Sequence, residues 1–238
     1  YRIPPLGVVF PKDEADVMAA LAACREFGVP LTSRGGGTSC AGNSIGEGIV
    51  LDFSRHMNAI VAIDPEARTA RVQPGVVMSD LQKAAAPFGL RFGPDPSTQN
   101  RATFGGMIGN NACGPHAVAF GRTADNVESL DVVLADGRRM TAGPNGRGYE
   151  AVPELERIVE SNLATIRMGF GRFKRQVSGY SLEHLLPENR RNLAKFLVGS
   201  EGTLGVVTEA VLTLVPVPDS PALVVLGYPD MASAADDV

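Results

Sequence analysis

The chain has 238 residues, 44% of them apolar and 20% charged, with a formal net charge of −4. That balance suits a folded protein with a sizeable core, and its acidic sign excludes a general nucleic-acid footprint, which needs a basic excess. No apolar run is long enough for an integral membrane segment, the opening residues Tyr1 to Pro5 are no secretion signal, and Cys24, Cys40 and Cys113 are too scattered for a local metal or iron–sulfur cradle.

Val8-Val9-Phe10 reads as a strand ended by Pro11. Asp13 then caps a helix from about Glu14 to Phe27, with Val17, Leu21 and Cys24 on one stripe and Gly28 as its stop. Val29 to Thr32 leads into a second strand and a glycine loop, an order resembling half of an α/β nucleotide-binding unit. Ile49–Asp52, Ala59–Ile63 and Thr69–Val72 are further strands, and Val76 to Ala86 is a helix closed near Gly89. After Pro94 and Pro96 comes a glycine- and asparagine-rich stretch, Gly105 to Gly114, to which no regular element is assigned.

Leu130–Ala135 and Arg139–Ala142 pair across Asp136-Gly137 as a two-residue hairpin. Leu155 to Leu163 is helical, Gly169 to Val177 irregular, Glu188 to Phe196 a short helix, and Gly205 to Leu214 a strand. Leu223–Gly227 is a strand, and Asp230 opens an alanine-rich helix that stops at Val238 without a cap, which reads as a boundary inside a larger protein. There is no internal repeat.

Ser33-Arg34-Gly35-Gly36-Gly37-Thr38-Ser39 follows a strand directly. Its glycines let the backbone expose several N–H groups in one concavity, a nest for phosphate oxygens, with the Thr38 and Ser39 hydroxyls as further donors. A plain tight turn is the competing reading; the position after a strand and the neighbouring Arg34 favour an anion. Two common motifs fail. Gly37 to Gly42 has P-loop spacing, but Asn43 stands where the lysine must be, and Cys40 replaces the third glycine of a dinucleotide fingerprint.

Three blocks in register resemble the flavoproteins related to vanillyl-alcohol oxidase and p-cresol methylhydroxylase: Arg34–Ser39 with Ala41-Gly42-Asn43; Gly93 to Ser97 followed by Thr103 to Gly106 and Asn110 to Gly114; and Leu197 to Glu209. The resemblance implies an α+β, two-lobed FAD-binding domain over residues 1–215, with lobes of about 1–100 and 101–215, and the start of a truncated cap domain over 216–238. It implies that amides of Gly35, Gly36, Gly37, Thr38 and Ser39, with Arg34, Gly42 and Asn43 nearby, grip a pyrophosphate. Pro94, Asp95, Pro96, Ser97, Thr103, Gly105, Gly106, Asn110, Asn111 and Gly114 would run beside the ribityl chain and flavin, Gly106 and Gly114 being glycine to clear the cofactor. Glu201, Gly202, Val206 and Val207 would complete the pocket.

Covalent relatives carry a histidine where Thr38 stands, so the resemblance implies non-covalent FAD, and Cys113, where many relatives have glycine, is read as a small residue without that chemistry. Gln176 to Glu188 is similar to the D-lactate, glycolate and D-2-hydroxyglutarate dehydrogenase subgroup, some of whose bacterial members carry an iron–sulfur region. The implied reaction is hydride removal from a small D-2-hydroxy acid, with the base and carboxylate clamp in the cap domain and an iron–sulfur domain or subunit as electron acceptor. The alternative is a non-catalytic flavin-carrier subunit. The scattered cysteines suggest a cytoplasmic location, to which a peripheral place on the membrane face is added. The basic run Arg167, Arg172, Lys174 and Arg175 is either a solvated loop or a partner for anionic groups. His116 is a candidate for proton transfer near the flavin edge, against a surface or packing role; His56 and His184 have weaker claims.

Overall fold

The computed structural model describes residues 2–173, 179–220 and 222–237. Its first unit is a parallel three-stranded sheet, order β1-β3-β2, of β1 (Gly7–Val9), β2 (Leu31–Arg34) and β3 (Ile49–Asp52). Helix α1 (Glu14–Phe27) makes the crossover, bounded as its capping residues dictate. The Asp13 carboxylate accepts from Asp16 N at 3.0 Å, and Gly28 ends it at φ 63° with its N–H turned back on the Arg25 and Cys24 carbonyls. Val17 and Leu21, one turn apart, bury against Leu51, Phe53 and Met57, and Val133 and Val206 of the second unit close this small core.

The second unit is an antiparallel sheet of β4 (Ile60–Asp64), β5 (Thr69–Val72), β7 (Val127–Val133), β8 (Arg139–Ala142) and β9 (Val206–Thr213), ordered β4-β5-β9-β7-β8. Central β9 alternates strictly, burying Val206, Thr208, Ala210 and Leu212, as a sheet with one packed face requires. A two-stranded ribbon joins β6 (Leu90–Arg91) to β10 (Val215–Pro216). The large core lies under this sheet. It is filled by α2 (Met78–Ala85), α3 (Phe104–Asn110) and the T-stacked pair Phe92–Phe104, whose centroids are 5.1 Å apart. Four further helices follow: α4 (Ala117–Phe120), α5 (Pro153–Ser161), α6 (Leu163–Gly169) and α7 (Leu193–Leu197); α8 (Met231–Asp236) is capped by the Asp230 side chain.

Several expectations need correction. The stretch from Gly105 contains a helix, α3, because Phe104, Met107 and Ile108 at i, i+3 and i+4 are each at most 2% exposed. Their burial outweighs a glycine penalty of roughly 1 kcal/mol per residue. The helix expected over Glu188 to Phe196 is broken, since Arg190 and Arg191 take left-handed backbone (φ 63° and 43°) and Asn192 caps α7 afresh through Lys195 N. The helix expected over Leu155 to Leu163 is two, divided at Asn162. The hairpin turn has three central residues: Leu134 N bonds to Arg138 O, and Gly137 at φ 91° supplies the left-handed bulge position of that loop type. Leu223 to Gly227 joins no ladder among the described residues. β5 lies before residue 100 yet ladders with β9, and β4 ladders with β5, so a lobe boundary near residue 58 follows the hydrogen bonding better than one near 100.

One half-buried group ties this fold to pH. His184, in the turn beside α7, has its pKa lowered to about 4, by burial first and then by Lys195 and Arg122 against Asp125. A histidine held below its ordinary 6.5 binds its proton better when unfolded, so its contribution to stability is complete above 6.5 and is lost as pH falls towards 4. Discounted for partial exposure, the loss is about 1–2 kcal/mol. Denaturant melts at pH 7 and about pH 4.5 should show wild type losing that much more than His184→Gln; parallel losses would refute the assignment.

Candidate functional site

β2 delivers the chain to the glycine loop. Arg34 still ladders with Asp52, its carbonyl taking Phe53 N at 3.1 Å, and at Gly35 the backbone leaves the sheet. Among the described residues, no backbone N–H from 35 to 39 donates to a protein acceptor, and Gly36 and Gly37 are exposed. Amides left unpaired by a fold are available to water or a ligand.

The glycines are needed first by the protein itself. A Cβ on Gly35 would meet Thr103 Oγ1, and one on Gly36 the Arg101 carbonyl oxygen, both closer than 3.0 Å. Gly37 is left-handed at φ 64°, and the Arg34 guanidinium lies beneath it, 2.8 Å from where a Cβ would stand. Arg34 also pairs with Asp52 at 3.6 Å, so a cation is fixed under the loop. The Ser39 hydroxyl, expected to face an anion, donates instead to Asn43 Oδ1 at 2.9 Å, which closes the Cys40–Gly42 turn.

Thr103 is the base of the site. It is 2% exposed, and its Oγ1 has no hydrogen-bond partner among the described residues. It precedes α3 without capping it, and a Cβ on Gly106 would stand 3.7 Å from the same oxygen. Burying a hydroxyl unpaired costs about 1–3 kcal/mol, so this oxygen points to a partner from outside the chain. The Phe104 and Gly105 amides are satisfied by Val76 and Pro74 carbonyls at 3.0 and 2.8 Å, whereas the Gly106 N–H has no acceptor among the described residues.

The third block clasps the other end of α3. Gly199 N bonds to Ile108 O at 2.8 Å and Glu201 N to Gly109 O at 3.0 Å. These bonds hold Glu201 at φ 54°, uncommon for a side-chain-bearing residue, and Asn110 Nδ2 donates to its carboxylate at 2.9 Å. A Cβ on Gly202 would stand 3.9 Å from Ser33 Cβ, which brings this block beside the loop. A recess of about 320 Å³ opens here, lined by Asn110, Gly179, Tyr180, Ser200, Glu201 and Thr203, with Tyr180 and Thr203 hydroxyls 2.8 Å apart.

Not every expected residue converges. Val206 is buried in the small core and Val207 packs on the large one. Asn111 spends its amide oxygen on Ala124 N at 3.0 Å. Gly105 and Gly114 face Pro74 and the Asp95 carbonyl, so Gly114 is required by the chain's own backbone, and of these three Gly106 alone leaves room for a Cβ. Pro94 and Pro96 are buried and Ser97 exposed. Asp95 is taken up by His116, whose Nδ1 lies 2.5 Å from Oδ2 and whose N–H donates to Oδ1 at 3.1 Å. Burial raises the Asp95 carboxyl, and those hydrogen bonds with Arg91 nearby outweigh it and hold it below the usual range.

Gly109 was missed, its Cβ position 3.9 Å from Glu201 Cα; its i+3 spacing from Gly106 signals a shared helix face only once α3 is known. In the basic run Arg167 is locked to Glu188 at 2.7 and 3.0 Å, and Arg172 is exposed. Lys174, Arg175 and the motif start 176–178 lie outside the described residues.

A family described as an FAD binding domain matches residues 5–143. The chain is 40% identical to the D-2-hydroxyglutarate dehydrogenase of Pseudomonas putida, covering all of this chain and 25% of that protein. It is 34% identical to glycolate oxidase subunit GlcD of Bacillus subtilis, covering all of this chain and 43% of that protein. Among solved structures, 6-hydroxy-D-nicotine oxidase from Arthrobacter nicotinovorans superposes with a TM-score of 0.64 at 23% identity, over 91% of this chain and 38% of that one. An alkyldihydroxyacetonephosphate synthase does so with 0.61 at 22%, over 90% and 32%.

Proposed function

Because the chain belongs to the FAD binding domain family, we propose that it is the cofactor-holding part of a larger FAD-dependent dehydrogenase acting on small D-2-hydroxy acids. The chain spans about a quarter of the length of the D-2-hydroxyglutarate dehydrogenases it matches, so the activity belongs to a longer protein. The unpaired amides of residues 35–39 above a buried, partnerless Thr103 hydroxyl carry this reading. They fit a diphosphate: amides donate to its oxygens, Thr103 Oγ1 donates from below, and Arg34 supplies positive charge. Glu201 and Gly202 border the same site, and Gly106 and Gly109 leave α3 without side chains there.

When bound, FAD supplies the two-electron acceptor for an alcohol carbon. The chain's own part is to hold the cofactor, to bury one side of it against α3, and to keep His116 oriented through Asp95. The attachment is non-covalent, since Thr38 stands where covalent relatives carry a histidine. The base, the carboxylate clamp and an iron–sulfur electron acceptor are assigned to parts of the protein outside this chain. No described helix is long and apolar enough to cross a membrane.

The test is reconstitution. The purified chain incubated with FAD should keep a flavin spectrum through desalting and release all of it on acid denaturation, and it should not oxidise hydroxy acids by itself. Failure to retain flavin sinks the proposal, and flavin on the denatured chain sinks the non-covalent part. The carrier alternative predicts that D-2-hydroxy acids leave the flavin of the full-length protein unbleached.

A further inference from the structure

A second concavity shares no residue with the cofactor site. It is a cavity of about 200 Å³ between the Tyr149–Ala151 turn, α5 and the segment 185–191. That volume is several times the ~30 Å³ share of one water and below the ~300 Å³ at which pockets for drug-sized ligands begin, so its occupant is small. Val159, Leu163, Leu185 and Pro187 form an aliphatic wall. At the mouth, Glu156 and Glu160, one turn apart on α5, face the single guanidinium of Arg191, which lies 2.9 Å from the first and 3.5 Å from the second.

Tyr149 also lines this cavity. The residue is only 6% exposed, yet its hydroxyl has no hydrogen-bond partner among the described residues. The oxygen itself is not fully enclosed, so it keeps free surface and is an open position in the cavity wall. Two carboxylates against one guanidinium leave the lining one negative charge in excess. A ligand carboxylate would have to displace a glutamate from Arg191 and then sit beside it.

We propose that this cavity binds a short-chain aliphatic primary ammonium ligand, its hydrocarbon on the Val159–Leu185 wall and its NH₃⁺ shared between the Tyr149 hydroxyl and the Glu160 carboxylate. The ammonium replaces Arg191's longer, weaker contact with Glu160 and leaves the Glu156 pair intact. The tyrosine is consistent with this: burial, then Glu156 and Glu160 working against Arg191, push its pKa up to about 12, so it stays a neutral hydroxyl in a negative field.

The probe is n-butylammonium, titrated into the purified chain while amide shifts are followed by NMR, with butyrate and n-butanol as comparators. Saturable shifts around residues 149–163 with butylammonium alone are expected, with affinity falling about fivefold or more in Tyr149→Phe and in Glu160→Gln. Glu160 is exposed, so the second variant reports even if the first is unstable. Saturation by butyrate instead, equal response to butanol, no saturation, or binding unchanged in both variants would each overturn the assignment.

Discussion

Gly36→Ala should weaken FAD binding by about 10- to 100-fold, measured as flavin retained on titration of the purified variant. The backbone at Gly36 is not left-handed, so alanine meets no conformational penalty there and the effect is steric. The new methyl would fall on the Arg101 carbonyl, closer than 3.0 Å, in a turn pinned by the Arg101 and Ala102 N–H groups on the Thr98 carbonyl, both at 2.8 Å. Overpacking of this kind costs about 1–3 kcal/mol in a rigid setting. Here the loop relieves it by lifting off residues 101–103, which carries the amides of residues 35–39 away from Thr103 and Gly106. Gly169→Ala is the control: a Cβ there meets nothing within 4 Å, and affinity should be unchanged. Equal retention by Gly36→Ala and wild type would remove the loop from the site.

Thr103→Val should move two measurements in opposite directions. In the FAD-free chain the valine methyl replaces a hydroxyl that has no partner and caps no helix, so nothing favourable is lost and a desolvation penalty is relieved. Stability should rise by about 1 kcal/mol, or roughly 2–4 °C in the unfolding midpoint of a chain this size. FAD affinity should fall about tenfold, because the ligand oxygen that this hydroxyl serves is then itself unpaired. An ordinary packing role predicts the same sign for both readouts. Loss of stability without loss of affinity would show that Thr103 is structural.

Much of the first unit was legible because its signals are local. Asp13 and Gly28 bound α1 through bonds to residues within one turn, and the Val17–Leu21–Cys24 stripe sets its buried face. The glycine loop's exposed, unpaired amides were legible for the same reason, since backbone freedom and position after a strand are sequence properties. The subgroup motif was readable as a pattern, but nothing in it placed Tyr180 and Ser181 at the recess beside Glu201.

The misreadings share one physical source: each depended on what lies across the chain. Gly105 to Asn110 reads as loop by propensity and becomes helix because Phe104, Met107 and Ile108 are enclosed by strands and helices distant in sequence. Gly114 reads as clearance for a ligand and proves to be clearance for Asp95. Ser39 turns to Asn43, while Thr103, expected only to run beside the cofactor, keeps the partnerless oxygen. By itself, then, the sequence determined the caps, the strand alternation and the amide-rich loop, all set by interactions within a few residues. Only the tertiary structure decided which glycines face open space, which polar atoms stay unpaired and where the two sheets divide, because burial is a property of the assembled chain and not of any segment.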